Sequence, residues 1–117
     1  MAEEMGKPVS EGRAEIKKCA WNCRYFAEQG PLMLADDERP SDAQKTFVRH
    51  EALGPILAIM PWNFPFWQVF RMAAPALIAG NSILLKHSIT TPRCAAAIAE
   101  LFLDTGAPRE QRPLYCV

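Results

Sequence analysis

Between Glu11 and Gln29 apolar side chains return every third or fourth position, at Ile16, Cys19, Ala20, Cys23, Phe26 and Ala27. That period predicts an amphipathic helix over residues 11–29, with Gly30-Pro31 as its stop. Asp36 to Ser41 is charged and turn-rich, and Thr46-Phe47-Val48-Arg49 is extended, so residues 36–52 read as a surface arm or hairpin. From Gly54 the pattern changes. Ile56-Leu57-Ala58-Ile59-Met60 is a short continuous apolar run, which suits a parallel strand covered on both faces, and Pro61 ends it. Asn63-Phe64-Pro65 reads as a helix entrance, with Asn63 as N-cap and Pro65 in the first turn. The helix is expected to reach about Ala79, where Gly80-Asn81 is a left-handed stop, and Pro75 predicts a kink or early break near Met72. Ser82-Ile83-Leu84-Leu85-Lys86 is a second strand-like run. Thr91-Pro92 is another N-cap and first-turn pair, opening a helix to Thr105 with Ile98, Leu101 and Phe102 on one side; Gly106 and Pro108 close it.

Residues 55–105 therefore alternate strand, helix, strand, helix. The expected fold class is α/β: part of a Rossmann-like parallel sheet, preceded by a helix and an extended arm. Parallel strands joined by a helix cross over right-handed in nearly all cases, which puts both strand carboxyl ends on one rim. Those ends are Met60-Pro61-Trp62-Asn63 and Lys86-His87-Ser88-Ile89. Ligands of open α/β sheets sit in the crevice beyond such ends, so Asn63 and Lys86 are the candidate contacts. Lys86 is either a donor to a phosphate or sugar hydroxyl, or a lysine snorkelling out of the sheet. Asn63 is either the N-cap or an oxyanion donor, a fixed N–H aimed at charge developing on a carbonyl oxygen. Trp62 and Trp67 either wall a pocket or fill the core, and His87 reads as structural.

Composition narrows the classes. The chain has 117 residues, half of them hydrophobic and 22% charged, with zero formal net charge. That balance is globular rather than disordered and lacks the basic surplus of a nucleic-acid module. Of the 26 charged residues 18 precede Gly54, so the first part reads as solvated and the second as buried. The acidic start carries no secretory pattern, which makes a cytoplasmic setting with reduced thiols the expectation. The longest uncharged stretch, Ala52 to Phe70, holds three prolines and argues against a membrane span. Cys19, Cys23, Cys94 and Cys116 show no metal-ligand spacing with His50 or His87, so no metal site is expected. Neither a phosphate-cradling glycine loop nor a G-x-S-x-G motif is present.

Pro61-Trp62-Asn63-Phe64-Pro65, with Gly80-Asn81 and Leu84-Leu85-Lys86-His87 at this spacing, closely resembles the aldehyde dehydrogenase superfamily. Glu4-Met5-Gly6-Lys7-Pro8 is similar to that family as well, and Phe66-Trp67-Gln68 with Lys86-His87 looks most like its succinate-semialdehyde dehydrogenase branch. The resemblance spans roughly residues 4–108. It implies part of a cofactor-binding domain and oxidation of an aldehyde to the carboxylic acid with NAD or NADP. On the matching positions it implies that Asn63 helps hold the oxyanion and that Lys86 bonds the adenosine ribose. The backbone of Ile59, Met60, Pro61 and Trp62 would wall the cofactor cleft, and residues 36–52 would form part of a homo-oligomer arm. Several relatives carry a ribose-binding glutamate where this chain has Ile89, which leaves NADP open. The family's glycine loop, general-base glutamate and nucleophilic cysteine lie further along than residue 117, so the resemblance implies an inactive amino-terminal fragment. An alternative is a non-catalytic fragment that docks on intact subunits. Residues 109–117 depart from the family's next strand and are expected to be an atypical tail.

Overall fold

The computed structural model describes residues 1–105 and 114–116. The elements are α1 (Ala2–Met5), α2 (Val9–Met33), β1 (Asp37–Glu38), β2 (Phe47–Val48), β3 (Pro55–Ile59), α3 (Trp67–Ile78), β4 (Ser82–Lys86), α4 (Pro92–Asp104) and β5 (Leu114–Cys116). β1 and β2 pair antiparallel as a small arm, with Asp37 opposite Val48. The expected strand, helix, strand, helix unit is present, and β3, β4 and β5 form one parallel sheet in that order.

The core lies on one face of that sheet. Ala58, Ile83, Leu85 and Leu114 point into it and meet Phe66, Val69 and Ala73 of the loop and helix after β3, and Cys94 and Ile98 of α4. α2 packs along α3 and adds Cys19. The apolar runs were expected to be covered on both faces, but α3 and α4 cover only one. On the other face Leu57, Ile59, Leu84 and Tyr115 are 60%, 68%, 39% and 43% exposed.

Several expected boundaries shift, each because a distant contact outweighs a local signal. α2 does not stop at Gly30-Pro31 but continues to Met33 with Pro31 inside. Gly30 is needed there for packing, since a Cβ at this position would sit 2.3 Å from Cγ2 of Ile78. The buried seam of α2 is also rotated from the expected stripe: Gly12, Glu15, Cys19, Asn22 and Gly30 are buried, whereas Ile16 is exposed. Asn63 is not the N-cap of α3, which starts at Trp67. Its first amides, those of Phe66 and Trp67, both donate to Oε1 of Glu15 at 2.9 Å. Pro75 neither ends nor splits α3, which is continuous from Trp67 to Ile78. Gly80 does provide the left-handed stop, with φ of 82°. The stop expected at Gly106 and Pro108 lies outside the described residues. The tail departs from expectation too: Leu114–Cys116 adds a third parallel strand, pairing Ile83 with Leu114 and Leu85 with Cys116. Burial of Leu114 in the core accounts for this; residues 109–113 and 117 lie outside the described residues.

Candidate functional site

Pairing of β3 with β4 runs in register from Pro55 opposite Ser82 to Ile59 opposite Lys86. The Met60 amide extends the ladder by donating to the Lys86 carbonyl at 3.1 Å. Both strands thus end side by side, and the segments carrying Asn63 and Lys86 leave the sheet from one rim. Asn63, Trp62, Pro61 and Lys86 are exposed, as is Ile89 at 89%, while Met60 is half-buried against the core. Lys86 joins no ion pair among the described residues. Trp67 packs half-buried against the core, so the two tryptophans divide between rim and interior.

His87 is buried and ties the two strand ends together. The Ser88 amide donates to Nδ1 at 2.8 Å, which places the ring proton on Nε2. Nε2 then donates to the Pro65 carbonyl at 2.9 Å. The hydroxyl of Thr91, fully buried at the start of α4, lies 3.3 Å from Nδ1. His87 is therefore structural, as the sequence suggested, and holds the 61–66 loop against the end of β4.

Three polar residues near this loop escaped sequence reasoning. Lys7 and Glu15 form a buried ion pair. The Lys7 ammonium also donates to the Asn63 carbonyl at 3.4 Å and lies 3.7 Å from the centre of the Phe64 ring. Glu4 receives the amides of Arg93 at 2.6 Å and Cys94 at 3.1 Å, so it caps α4. The available signals were a glutamate inside the apolar stripe of a helix and the Glu4–Pro8 motif itself.

The four cysteines are free. Burial pushes Cys19 up to about 12, with the Glu15 carboxylate adding to the rise. Cys94 is pushed up to about 11 by burial and by its hydrogen bond to Glu4. Burial raises Cys23 and Cys116 as well. None has the lowered pKa of an activated nucleophile.

Parallel strands whose ends converge on one rim, with helices returning between them, define a Rossmann-like α/β unit. The sequence matches the aldehyde dehydrogenase family over residues 1–111, and the chain belongs to that family. It is 54% identical over 108 residues to a Synechocystis protein named as a probable succinate-semialdehyde dehydrogenase (NADP+); the match covers 92% of this chain and 24% of that protein. It is 47% identical to the Escherichia coli succinate semialdehyde dehydrogenase (NAD(P)+), covering 93% of this chain and 24% of the relative. Among solved structures, the Streptococcus pyogenes succinic semialdehyde dehydrogenase, in complex with NADP+, superposes with a TM-score of 0.91 at 33% identity; the match covers 99% of this chain and 25% of that one. The Burkholderia pseudomallei succinate-semialdehyde dehydrogenase gives a TM-score of 0.87 at 36% identity, covering 99% of this chain and 24% of that one. The chain spans about a quarter of the length of the curated relatives it matches. Among the described residues no helix is long and apolar enough to cross a membrane.

Proposed function

We propose that this chain supplies the Asn63–Lys86 rim of an NAD(P)-dependent aldehyde dehydrogenase that oxidises succinate semialdehyde to succinate in the cytoplasm. The observation that carries the reading is the in-register pairing of Ile59 with Lys86, which sends both functional segments off the same end of the sheet. Identity of 47–54% to succinate-semialdehyde dehydrogenases supports the substrate. The residues present fit a nicotinamide dinucleotide. Lys86 is an exposed cation outside the ion pairs of the described residues, and Ile59 and Trp62 offer exposed apolar surface beside it. Bound there, the nicotinamide supplies the hydride acceptor.

The Asn63 side-chain amide donates to the aldehyde oxygen as negative charge develops on it. The Lys86 ammonium donates to ribose hydroxyls, and the backbone of Ile59 to Trp62 walls the cleft. Ile89 brings no carboxylate to repel a 2′-phosphate, so NADP+ is accommodated. The arm of β1 and β2 belongs to subunit association. No thiol here has the lowered pKa of a nucleophile, and the family resemblance assigns the nucleophile and the general base to sequence outside these residues. The chain alone should not form NADPH from succinate semialdehyde.

NADP+ titration of the 15N-labelled chain tests this. Amide shifts should be confined to residues 59–63 and 86–89, and Lys86→Ala should weaken binding about tenfold, the worth of one charged hydrogen bond. Shifts centred elsewhere, or unchanged affinity in Lys86→Ala, would refute it. The uncovered face of Leu57, Ile59, Leu84 and Tyr115 favours a second reading, a fragment that docks on intact subunits, because parallel sheets are normally covered on both faces. Co-sedimentation with an intact relative would support that reading, and a clean monomer in the mixture would oppose it.

A further inference from the structure

Residues 63–67 are gripped at every position, yet the Asn63 side chain itself forms no hydrogen bond with the described residues. Lys7 holds the Asn63 carbonyl and covers the Phe64 ring. His87 donates to the Pro65 carbonyl. Glu15 accepts from the Phe66 and Trp67 amides. A fixed backbone with an unengaged amide is the arrangement that a preorganised donor requires.

We infer that Lys7 and Glu15 are positioning residues: their buried ion pair fixes the backbone of the Asn63 loop so that the Asn63 amide stands ready at the rim. That Asn63 is the donor in question rests on the function proposed above; the bracing itself does not. Stability alone does not account for a buried pair, since well-packed apolar residues of similar volume often do as well or better. An apolar residue at position 7 could fill the space but could not bond the Asn63 carbonyl. The same short segment reaches the other half of the rim. Glu4 caps α4, which follows Lys86, and Gly6, with φ of 71°, turns the chain from Glu4 to Lys7. One stretch of four residues thus contacts the elements that follow both strand ends.

The test is 15N relaxation on the whole 117-residue chain without ligand. Residues 62–64 should be rigid in the wild type, with order parameters of about 0.85, and should fall below about 0.6 in Lys7→Met while β3 and β4 stay rigid. Lys7→Arg, which keeps the charge and donors, should restore the order. Ile98→Val, which weakens the core away from the brace, should leave residues 62–64 rigid. If Lys7→Met does not fold in buffer, the same measurement in trimethylamine N-oxide, an excluded osmolyte that strengthens burial without restoring the pair, carries the same expectation. A loop that stays rigid without the pair, no rescue by arginine, or equal loosening in Ile98→Val would overturn the inference. Because no ligand is used, loosening of the loop alongside a failed NADP+ titration would sink the proposed function and leave the brace standing.

Discussion

The Lys7–Glu15 pair can be tested energetically with a double-mutant cycle of Lys7→Met and Glu15→Gln. Glu15 is 4% exposed and Lys7 7%, so neither charge has water to fall back on. Glu15→Gln keeps one oxygen for the Phe66 and Trp67 amides but turns a donor toward the Lys7 ammonium, leaving a buried cation without its anion. Removing one partner of a buried pair costs about 3–5 kcal/mol, and the remaining contacts of Lys7 with the Asn63 carbonyl and the Phe64 ring place this case near the lower end, about 3 kcal/mol. Lys7→Met leaves a carboxylate that still accepts two amides at 2.9 Å. Hydrogen bonds to charged groups contribute about 1.5–3 kcal/mol each, so this variant should lose less, about 2 kcal/mol. The double variant has no buried charge, keeps the amide acceptor, and should also lose about 2 kcal/mol, where additivity would require about 5 kcal/mol. Urea unfolding followed by tryptophan fluorescence and circular dichroism gives the midpoints, with an unchanged slope as the check that the transition is the same. Additive losses, within about 0.5 kcal/mol, would refute the idea that the two charges hold one another in a dry site.

Gly30→Ala should destabilise the chain although alanine is the better helix former by about 1 kcal/mol. The new Cβ meets Ile78 at 2.3 Å, and overpacking of that kind costs about 1–3 kcal/mol; Gly30→Ala combined with Ile78→Ala should lose less than the sum of the two single variants, read as the urea midpoint. Thiol titration adds a pH dependence at alkaline pH. Cys19 and Cys94 hold their protons in the folded state up to about 12 and about 11, against 9.0 ordinarily. The unfolded chain therefore binds fewer protons above pH 9, so stability present below that pH should fall steadily as pH rises toward the folded values; a midpoint flat from pH 8.5 to 10.5 would contradict this. Ile89→Glu should shift cofactor preference from NADP+ toward NAD+ by about tenfold, the effect of roughly 1.4 kcal/mol of repulsion on a 2′-phosphate, measured by titration with each.

The βαβα order was legible because its signals are local. Two short apolar runs, a glycine suited to positive φ after α3, and Thr91-Pro92 at the start of α4 each act within a few residues. The rim followed from them, since two parallel strands with a helical crossover must end on the same side. What was not legible depends on residues far apart in sequence. Asn63 is a good local N-cap, but Glu15 caps α3 from 51 residues away. Gly30-Pro31 is a good local stop, but the fit of Gly30 against Ile78 carries α2 past it. Leu114–Cys116 is too short to read as a strand until β4 offers it an edge and the core takes Leu114.

These long-range caps bear on how the rim is built. Neither Phe66 nor Thr91 makes a side-chain cap of its own. The amides that open α3 and α4 turn instead to Glu15 and Glu4, carboxylates that suit the positive end of a helix dipole. A local cap would satisfy each helix separately and leave its angle to the sheet to packing alone. A cap supplied from the first fifteen residues ties both helix starts, and the loops before them, to one segment joined through the Lys7–Glu15 pair. His87 closes the other side by bonding the Pro65 carbonyl. The loop that bears the exposed Asn63 amide is thus held from α2, from the Glu4–Lys7 turn and from the end of β4. Its backbone has few remaining ways to move, while the Asn63 side chain forms no hydrogen bond with the described residues.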